Sequence, residues 1–376
     1  MRAAVFVETG GPLVIEDLEP APPGPRDVIV QLGASGVCHS DLSLKNGYVG
    51  IMPGTVLGHE GAGTIIEVGS EVSHLKKGDH IVASFIPACG VCYFCLRDQS
   101  HLCDTEFNVM MAMRGKRPDQ TDYMTMTGLG TFAETMTCDQ SSIVKVETDV
   151  PDEQLALIGC GVTTGVGAAL NTAGVEPGST VAIIGLGGVG QSVLQGCRIA
   201  GAGRIIAVDP VELKRKTAEQ LGATDLVDTN AGDPVEQVKA LTSGRGVDYA
   251  FEVIGLPETT LQAYNMIRKG GTAVMVGMTR AEAEVTIPTF DLFFNEKTLK
   301  GCKYGSGQVR RDFQRFADLI ETGRLDTAAM VSRTVGLDDV NEAFRAMEAG
   351  EVIRSVITSF GGSTSGAKKA AQSAKS

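Results

Sequence analysis

Residues 180–190 read "TVAIIGLGGVG", and this stretch decides the fold class. An apolar run of strand length, Thr180 to Ile184, meets Gly185, Gly187 and Gly190 in G-x-G-x-x-G spacing, with Gly188 and Val189 between them. Three glycines alone say little. Their meaning comes from "RIIAVD", 204–209, a second apolar strand that ends in Asp209, nineteen residues past Gly190. In a strand–turn–helix unit the glycines let the backbone approach a pyrophosphate and the next helix offers its free N–H groups, while an acid at the end of the second strand meets the ribose hydroxyls. Asp209 would repel a 2′-phosphate, so the reading is NAD rather than NADP. The bland alternative is a glycine-rich turn with no ligand. Against it stands the rhythm of the segment: "DYAFEVIG" (248–255) and "TAVMVG" (272–277) are further strands, separated by helical periodicity at 211–221 and 257–269. Such alternation predicts an α/β unit with a doubly wound parallel sheet, here 162–304.

The flanking segments differ in character. Residues 1–161 carry short β-rich runs such as "DVIVQL", "AGTIIEVG" and "DHIVASF", broken by Gly and Pro, together with most of the cysteines and every histidine. A compact, partly barrel-like β domain is expected there. Two helical stretches and the strand-like "SVITSF" make 305–360 a return to that first domain, and 361–376, "GGSTSGAKKAAQSAKS", is expected to be a disordered tail. The net charge of −12 argues against a duplex-binding face and against attraction to an anionic membrane. Neither a cleavable leader in the first twenty residues nor an apolar run of membrane-spanning length is evident, so a cytoplasmic protein with no nucleic-acid or membrane partner is expected.

Four of the nine cysteines fall in "CGVCYFCLRDQSHLC", 89–103. Cys89, Cys92 and Cys95 are separated by two residues each and Cys103 follows after seven more, so one loop can bring four thiolates round a tetrahedral ion. Disulfides between such near neighbours would be strained, and a redox pair is the remaining rival. Zinc held by four thiolates has no open position, so it would hold a lobe together and take no part in a reaction.

Three other places set a zinc ligand beside glycines: "GVCHSD" with Cys38, "LGHEGAG" with His59 and Glu60, and "IGCGVTTG" with Cys160. Taken singly, each is more often a packed core residue. Together they offer two thiolates and an imidazole, the ligand set of a zinc site with its fourth position open. At this point the sequence resembles the zinc-dependent medium-chain alcohol dehydrogenases, in their longer form with a structural zinc lobe, over residues 1–360 and with the motifs in the family's order. The resemblance implies a GroES-like β-rich catalytic domain beside a Rossmann domain, two zinc ions per chain, and reversible hydride transfer between an alcohol carbon and NAD. It implies that Cys38, His59 and Cys160 hold the catalytic zinc, that Glu60 lies behind it and ligates transiently, and that Asp41 fixes the His59 tautomer. Ser40 would bond the substrate hydroxyl and pass its proton toward the nicotinamide ribose. His39 and Arg354 would neutralise the pyrophosphate, and Lys214 would reach the adenosine ribose beside Asp209. Thr164 and Val189 would back the nicotinamide, with Val276 and Gly188 in the same cofactor set.

Two departures from the family pattern bear on the substrate. Many relatives end the proton relay in a His five residues after the first zinc ligand, where this chain has Ser43. Relatives that oxidise the glutathione adduct of formaldehyde carry an Arg four residues past the last lobe cysteine, where this chain has Phe107, although "CDTEFN" looks like a bacterial branch that uses other small thiols. Phe85, Val49 and Phe107 are expected to wall an apolar pocket for a primary alcohol with a hydrophobic tail or ring. The alternative is a thiol adduct of formaldehyde, met by Arg114, Lys116 and Arg117 in the loop 104–130, whose clustered methionines could repack round several shapes. Two rivals on the same scaffold are a non-catalytic nucleotide-binding protein and a zinc-free quinone reductase; the intact ligand set speaks against both. A homodimer is expected through the edge strand near Thr298–Lys303.

Overall fold

The structure is a computed structural model, and it describes residues 1–361. The expected tail therefore lies, apart from Gly361, outside the described residues. Three sheets carry the chain. In the parallel one, the strands Asp225–Val227, Arg204–Val208, Thr180–Ile184, Val247–Glu252, Ile267–Met275 and Thr298–Gly301 lie side by side in that order. Numbered along the chain, this is the order 3-2-1-4-5-6 of a Rossmann domain. The sequence order reverses between Thr180–Ile184 and Val247–Glu252, which places a ligand crevice at the carboxyl ends of those two strands. Their runs of Val, Ile and Ala are buried because helices cover both faces.

The two remaining sheets form the β-rich domain. One is a six-stranded sheet that includes Arg2–Phe6 and Met113–Lys116. The other is seven-stranded, and its long strand Asp27–Val37 pairs antiparallel with Glu60–Val68, with Thr135–Asp139 and with the late strand Arg354–Ser359. The register Ser355↔Val37 brings the chain back to the first domain and sets Arg354 beside the start of the helix at 39. One apolar core joins the domains: Leu157, Val162 and Val166 share it with Val193, Leu194 and Val181 of the Rossmann unit and with Phe313 and Phe316. A shared core of this kind holds the cleft between the domains in place. No single helix among the described residues is long and apolar enough to cross a membrane.

Candidate active site and metal centres

Cys38, His59, Glu60 and Cys160 come from three separate segments, yet their ligand atoms lie within 4.8 Å of one another and all four are buried. The positioning of Cys38 is local. It occupies the extended N-cap of the helix His39–Lys45, and its amide donates to Asp41 Oδ2 at 3.0 Å. An acid at the third helical position can reach back to the cap N–H, which is why Cys-x-x-Asp starts a helix here. Asp41 Oδ1 accepts from the Gly58 amide at 3.1 Å and lies 3.0 Å from His59 Nδ1. A proton on Nδ1 then faces the carboxylate and leaves Nε2 for a cation. Glu60, at the start of its strand, is tied on both oxygens: Oε1 accepts from the Gly161 amide at 3.1 Å, and Oε2 pairs with Arg354.

The chemistry of this donor set fits a metal. The hydrogen bond with Cys160 holds the Cys38 thiol well below its ordinary value, and that same bond, helped by burial, holds Cys160 well above. Burial depresses His59, but Asp41 and Cys38 overcome it and raise the imidazole to about 10. Two adjacent sulfurs thus share a proton and the imidazole keeps another, protons that a divalent cation displaces on binding. Two cysteines and one histidine match zinc with an open coordination position, and zinc held there would supply a Lewis acid.

Cys89, Cys92, Cys95 and Cys103 form the second cluster. Its sulfurs stand 3.9 Å apart in the pairs Cys89–Cys95 and Cys92–Cys103. Four thiolates round a zinc ion at about 2.3 Å would be separated by about 3.8 Å, and a disulfide would need about 2 Å. Backbone amides already point at the sulfurs: Cys92 N–H reaches Cys89 Sγ at 3.3 Å and Cys89 N–H reaches Cys103 Sγ at 3.4 Å. Burial raises the Cys89 thiol, but the Val91 and Cys92 amides outweigh it and bring the group to about 6, a state suited to metal binding.

The glycine turn follows the strand Thr180–Ile184 and opens the helix Gly188–Ile199. A Cβ on Gly190 would meet the Gly185 carbonyl oxygen at 1.9 Å, so only glycine lets the helix start this close to the strand. Gly187 has open space before it, the room a pyrophosphate would need. Asp209 is buried at the end of the second strand, where its two oxygens accept from the Leu186 and Val211 amides, both at 2.8 Å. Arg354 packs against Gly188, where a Cβ would meet its Cδ at 2.4 Å. Partial desolvation lowers the pKa of His39, an exposed residue, against the pull of Cys38, and the charges of Lys214 and Arg354 lower it further. Val189 and Val276 are half-buried, and Thr164, on the helix Gly161–Gly167, donates its amide to the Cys160 carbonyl at 2.8 Å.

The pocket residues separate. Phe85 sets its edge against His59, with ring centroids 5.6 Å apart. Val49 and Phe107 are 47% and 68% exposed. Ser40 and Ser43 are half-buried on the same helix as His39. Arg114 and Arg117 point elsewhere, into ion pairs with Asp27 and Glu16 at 3.1 and 2.6 Å, and Lys116 pairs with Asp122 at 2.7 Å. Two residues escaped the sequence reading. Tyr304 is fully buried against Phe85 at 4.2 Å, and its hydroxyl donates to the Gly159 carbonyl beside Cys160. Arg280, after the Rossmann strand Ile267–Met275, stands 4.2 Å over the ring of Tyr48, which follows the helix of Cys38, and so spans the two domains. The "KYG" at 303–305 held a weak signal for the first, an aromatic residue before a glycine; local sequence held none for the second.

Comparison with known proteins follows from this geometry. Residues 24–148 match the alcohol dehydrogenase GroES-like domain and residues 188–322 the zinc-binding dehydrogenase family. The chain is 39% identical over 366 residues to a putative alcohol dehydrogenase D of Mycobacterium tuberculosis, covering 94% of this chain and 98% of that one. It is 38% identical over 370 residues to an S-(hydroxymethyl)glutathione dehydrogenase of Synechocystis, covering 95% and 99%. Among solved structures, benzyl alcohol dehydrogenase from Acinetobacter calcoaceticus superposes with a TM-score of 0.88 at 31% identity, over 96% of this chain and 99% of that one. The chain belongs to the zinc-dependent alcohol dehydrogenase family. It is a NAD-dependent, zinc-associated oxidoreductase of an alcohol or aldehyde, with one catalytic and one structural zinc site.

Proposed function

We propose that the chain oxidises the hydroxymethyl adduct that formaldehyde forms with a small, negatively charged thiol, passing hydride to NAD. The observation that carries this reading is Arg280, an exposed cation held over Tyr48 across the domain cleft and engaged in no ion pair among the described residues. A cation there suits a substrate whose reacting end is a small CH₂OH group and whose tail bears a carboxylate. The Synechocystis relative is named for such an adduct. Phe107, in place of the arginine of glutathione-using relatives, favours a thiol other than glutathione. In this reading Cys38, His59 and Cys160 hold the catalytic zinc, Asp41 orients His59, and Glu60 and Arg354 stand behind it. Ser40 takes the hydroxyl proton and relays it toward the nicotinamide ribose, Thr164, Val189 and Val276 back the ring, and His39, Lys214 and Asp209 hold the rest of the dinucleotide. A second reading, a hydrophobic or aryl primary alcohol, is favoured by Phe85 edge-on to His59.

The test is a panel at fixed NAD, followed by NADH absorbance: formaldehyde with and without glutathione and other carboxylate-bearing thiols, against medium-chain and aryl alcohols. Formaldehyde should turn over only when thiol is present, and Arg280→Ala should raise KM for the adduct about tenfold with kcat little changed. Efficient thiol-independent oxidation of benzyl or hexyl alcohol with no response to formaldehyde and thiol would install the second reading.

The chain is also proposed to act as a homodimer. Among the described residues the strand Thr298–Gly301 ends the parallel sheet with one side unpaired, and the neighbouring helix Thr289–Phe294 presents Phe290, Phe293 and Phe294 to solvent, Phe293 at 78% exposure. An exposed apolar edge of this kind suits isologous pairing with a second copy. Light scattering should give the dimer mass, and Phe293→Glu should shift the population to monomer. A monomeric parent at working concentration removes the proposal.

A further inference from the structure

At the amino end of the parallel sheet, opposite the cofactor turn, the described residues enclose a cleft of about 360 Å³. Its walls are the starts of strands. Thr180 and Arg204 open the first two, Asp248 and Arg268 are each second in theirs, and the turn 243–246 brings Ser243 and Arg245 to the rim. Gly185 and Asp209, by contrast, sit at the carboxyl ends of those same strands. The cleft is therefore separate from the dinucleotide site.

Its charge does not balance. Arg204 is gripped by Asp225, with Nε and an Nη each at 2.8 Å from a carboxylate oxygen, and gives its other Nη to the Leu241 carbonyl. Arg268 donates through Nε to Asp248 at 2.6 Å and through one Nη to the Lys269 carbonyl, which leaves its second Nη without a partner among the described residues. Asp248 is spent as well: its other oxygen accepts from the Thr180 amide at 2.7 Å. Arg245 is exposed; its amide donates to the Thr242 carbonyl at 3.1 Å, and its guanidinium makes no hydrogen bond or ion pair among the described residues. Three guanidiniums thus face the space against two carboxylates that are already engaged. In a chain of net charge −12, an unneutralised cationic hollow is out of keeping with the rest of the surface.

We infer that this cleft binds a phosphoryl dianion, with Arg245 and the free edge of Arg268 as its charged donors and the Ser243 hydroxyl as a third contact. Three donors that converge from two backbone segments suit a tetrahedral oxyanion, whose oxygens point several ways, better than a planar carboxylate. Of the two charged donors, Arg268 is already fixed through Asp248, so most of the side-chain freedom lost on binding is that of Arg245. This inference does not depend on which alcohol the enzyme oxidises.

The experiment uses the zinc-loaded full chain saturated with NADH, so that the pyrophosphate site is filled. Inorganic phosphate and, in a separate arm, glycerol phosphate are titrated at constant ionic strength against chloride, and the melting temperature is recorded. A site that binds only the folded state should raise the melting point by about 2 °C at tenfold excess over Kd. Arg245→Ala and Ser243→Asp, both on the exposed turn, should abolish the rise while leaving NADH-linked turnover unchanged. A rise with glycerol phosphate as large as with phosphate points to a phosphorylated metabolite; a rise with phosphate alone points to the free anion; either supports the site. An equal rise with chloride, or a rise that survives in both variants, overturns it.

Discussion

Replacing Cys38 by serine should leave the chain folded and reduce NADH-forming turnover by roughly 10³-fold or more, since a Lewis acid supplies several kcal/mol to the reaction and each 1.4 kcal/mol is a factor of ten. Two features of the site set these expectations. The local structure depends on the Cys38 backbone: its amide meets Asp41, and its extended conformation starts the helix. Serine is itself a favoured cap, so the helix, the Asp41 contacts and the turn to His59 persist. The sulfur alone is lost, and with it one of three ligands to the catalytic ion, so bound zinc should fall from two equivalents to about one. Elemental analysis, circular dichroism and NADH absorbance on one sample check all three statements. Near-parental turnover with the zinc unchanged would remove Cys38 from the site. Asp41→Asn should fall between, losing roughly 10–100-fold in zinc affinity or activity, because the ligand stays while its orientation loosens.

What sequence could reveal follows from the range over which each feature is determined. The glycine turn and the four-cysteine lobe are each written within a few residues, so spacing alone exposes them. The meeting of Cys38, His59 and Cys160 is not local; it became legible because each motif also stands in a family's order. The resemblance carried Arg354 as far as the pyrophosphate, and its ion pair with Glu60 then required the strand register Ser355↔Val37, which no local pattern encodes. The loop 104–130 shows the opposite failure. Arg114, Lys116 and Arg117 read as cations awaiting a ligand, but a charged side chain near a sheet finds the nearest acid, and Asp27, Asp122 and Glu16 lie on neighbouring segments. The cation that does stand at the cleft, Arg280, sits in a stretch with no motif at all. Val49 and Phe107, expected beside Phe85 in the pocket wall, are exposed, which shows how little apolar wall surrounds the mouth.

The second large effect is expected at Cys92, where a single substitution should unfold the lobe and leave the catalytic cluster in place. The segment 89–103 has almost no core of its own. Among its residues only Ser100 and Cys103 are buried, while Val91, Tyr93 and Leu96 face solvent. Its regular structure amounts to two single turns, Cys95–Arg97 and Ser100–Leu102. Burial of apolar area therefore cannot order it, and the thiolate cluster must. Structural zinc contributes on the order of 10–16 kcal/mol in small peptides, far above what the Arg310 hydrogen bond to the Ala88 carbonyl at 3.0 Å supplies at the lobe's base. With Cys92→Ser the zinc count should drop to about one per chain, and trypsin should cut after Arg97, which in the intact lobe is held over the Tyr93 ring at 3.8 Å. Cys38, His59 and Cys160 lie outside the segment, so the remaining ion should be the catalytic one, and residual turnover should track it. Two ions per chain and an uncut lobe in this variant would mean that Cys89, Cys95 and Cys103 suffice, and that the fourth thiolate is not what holds the segment together.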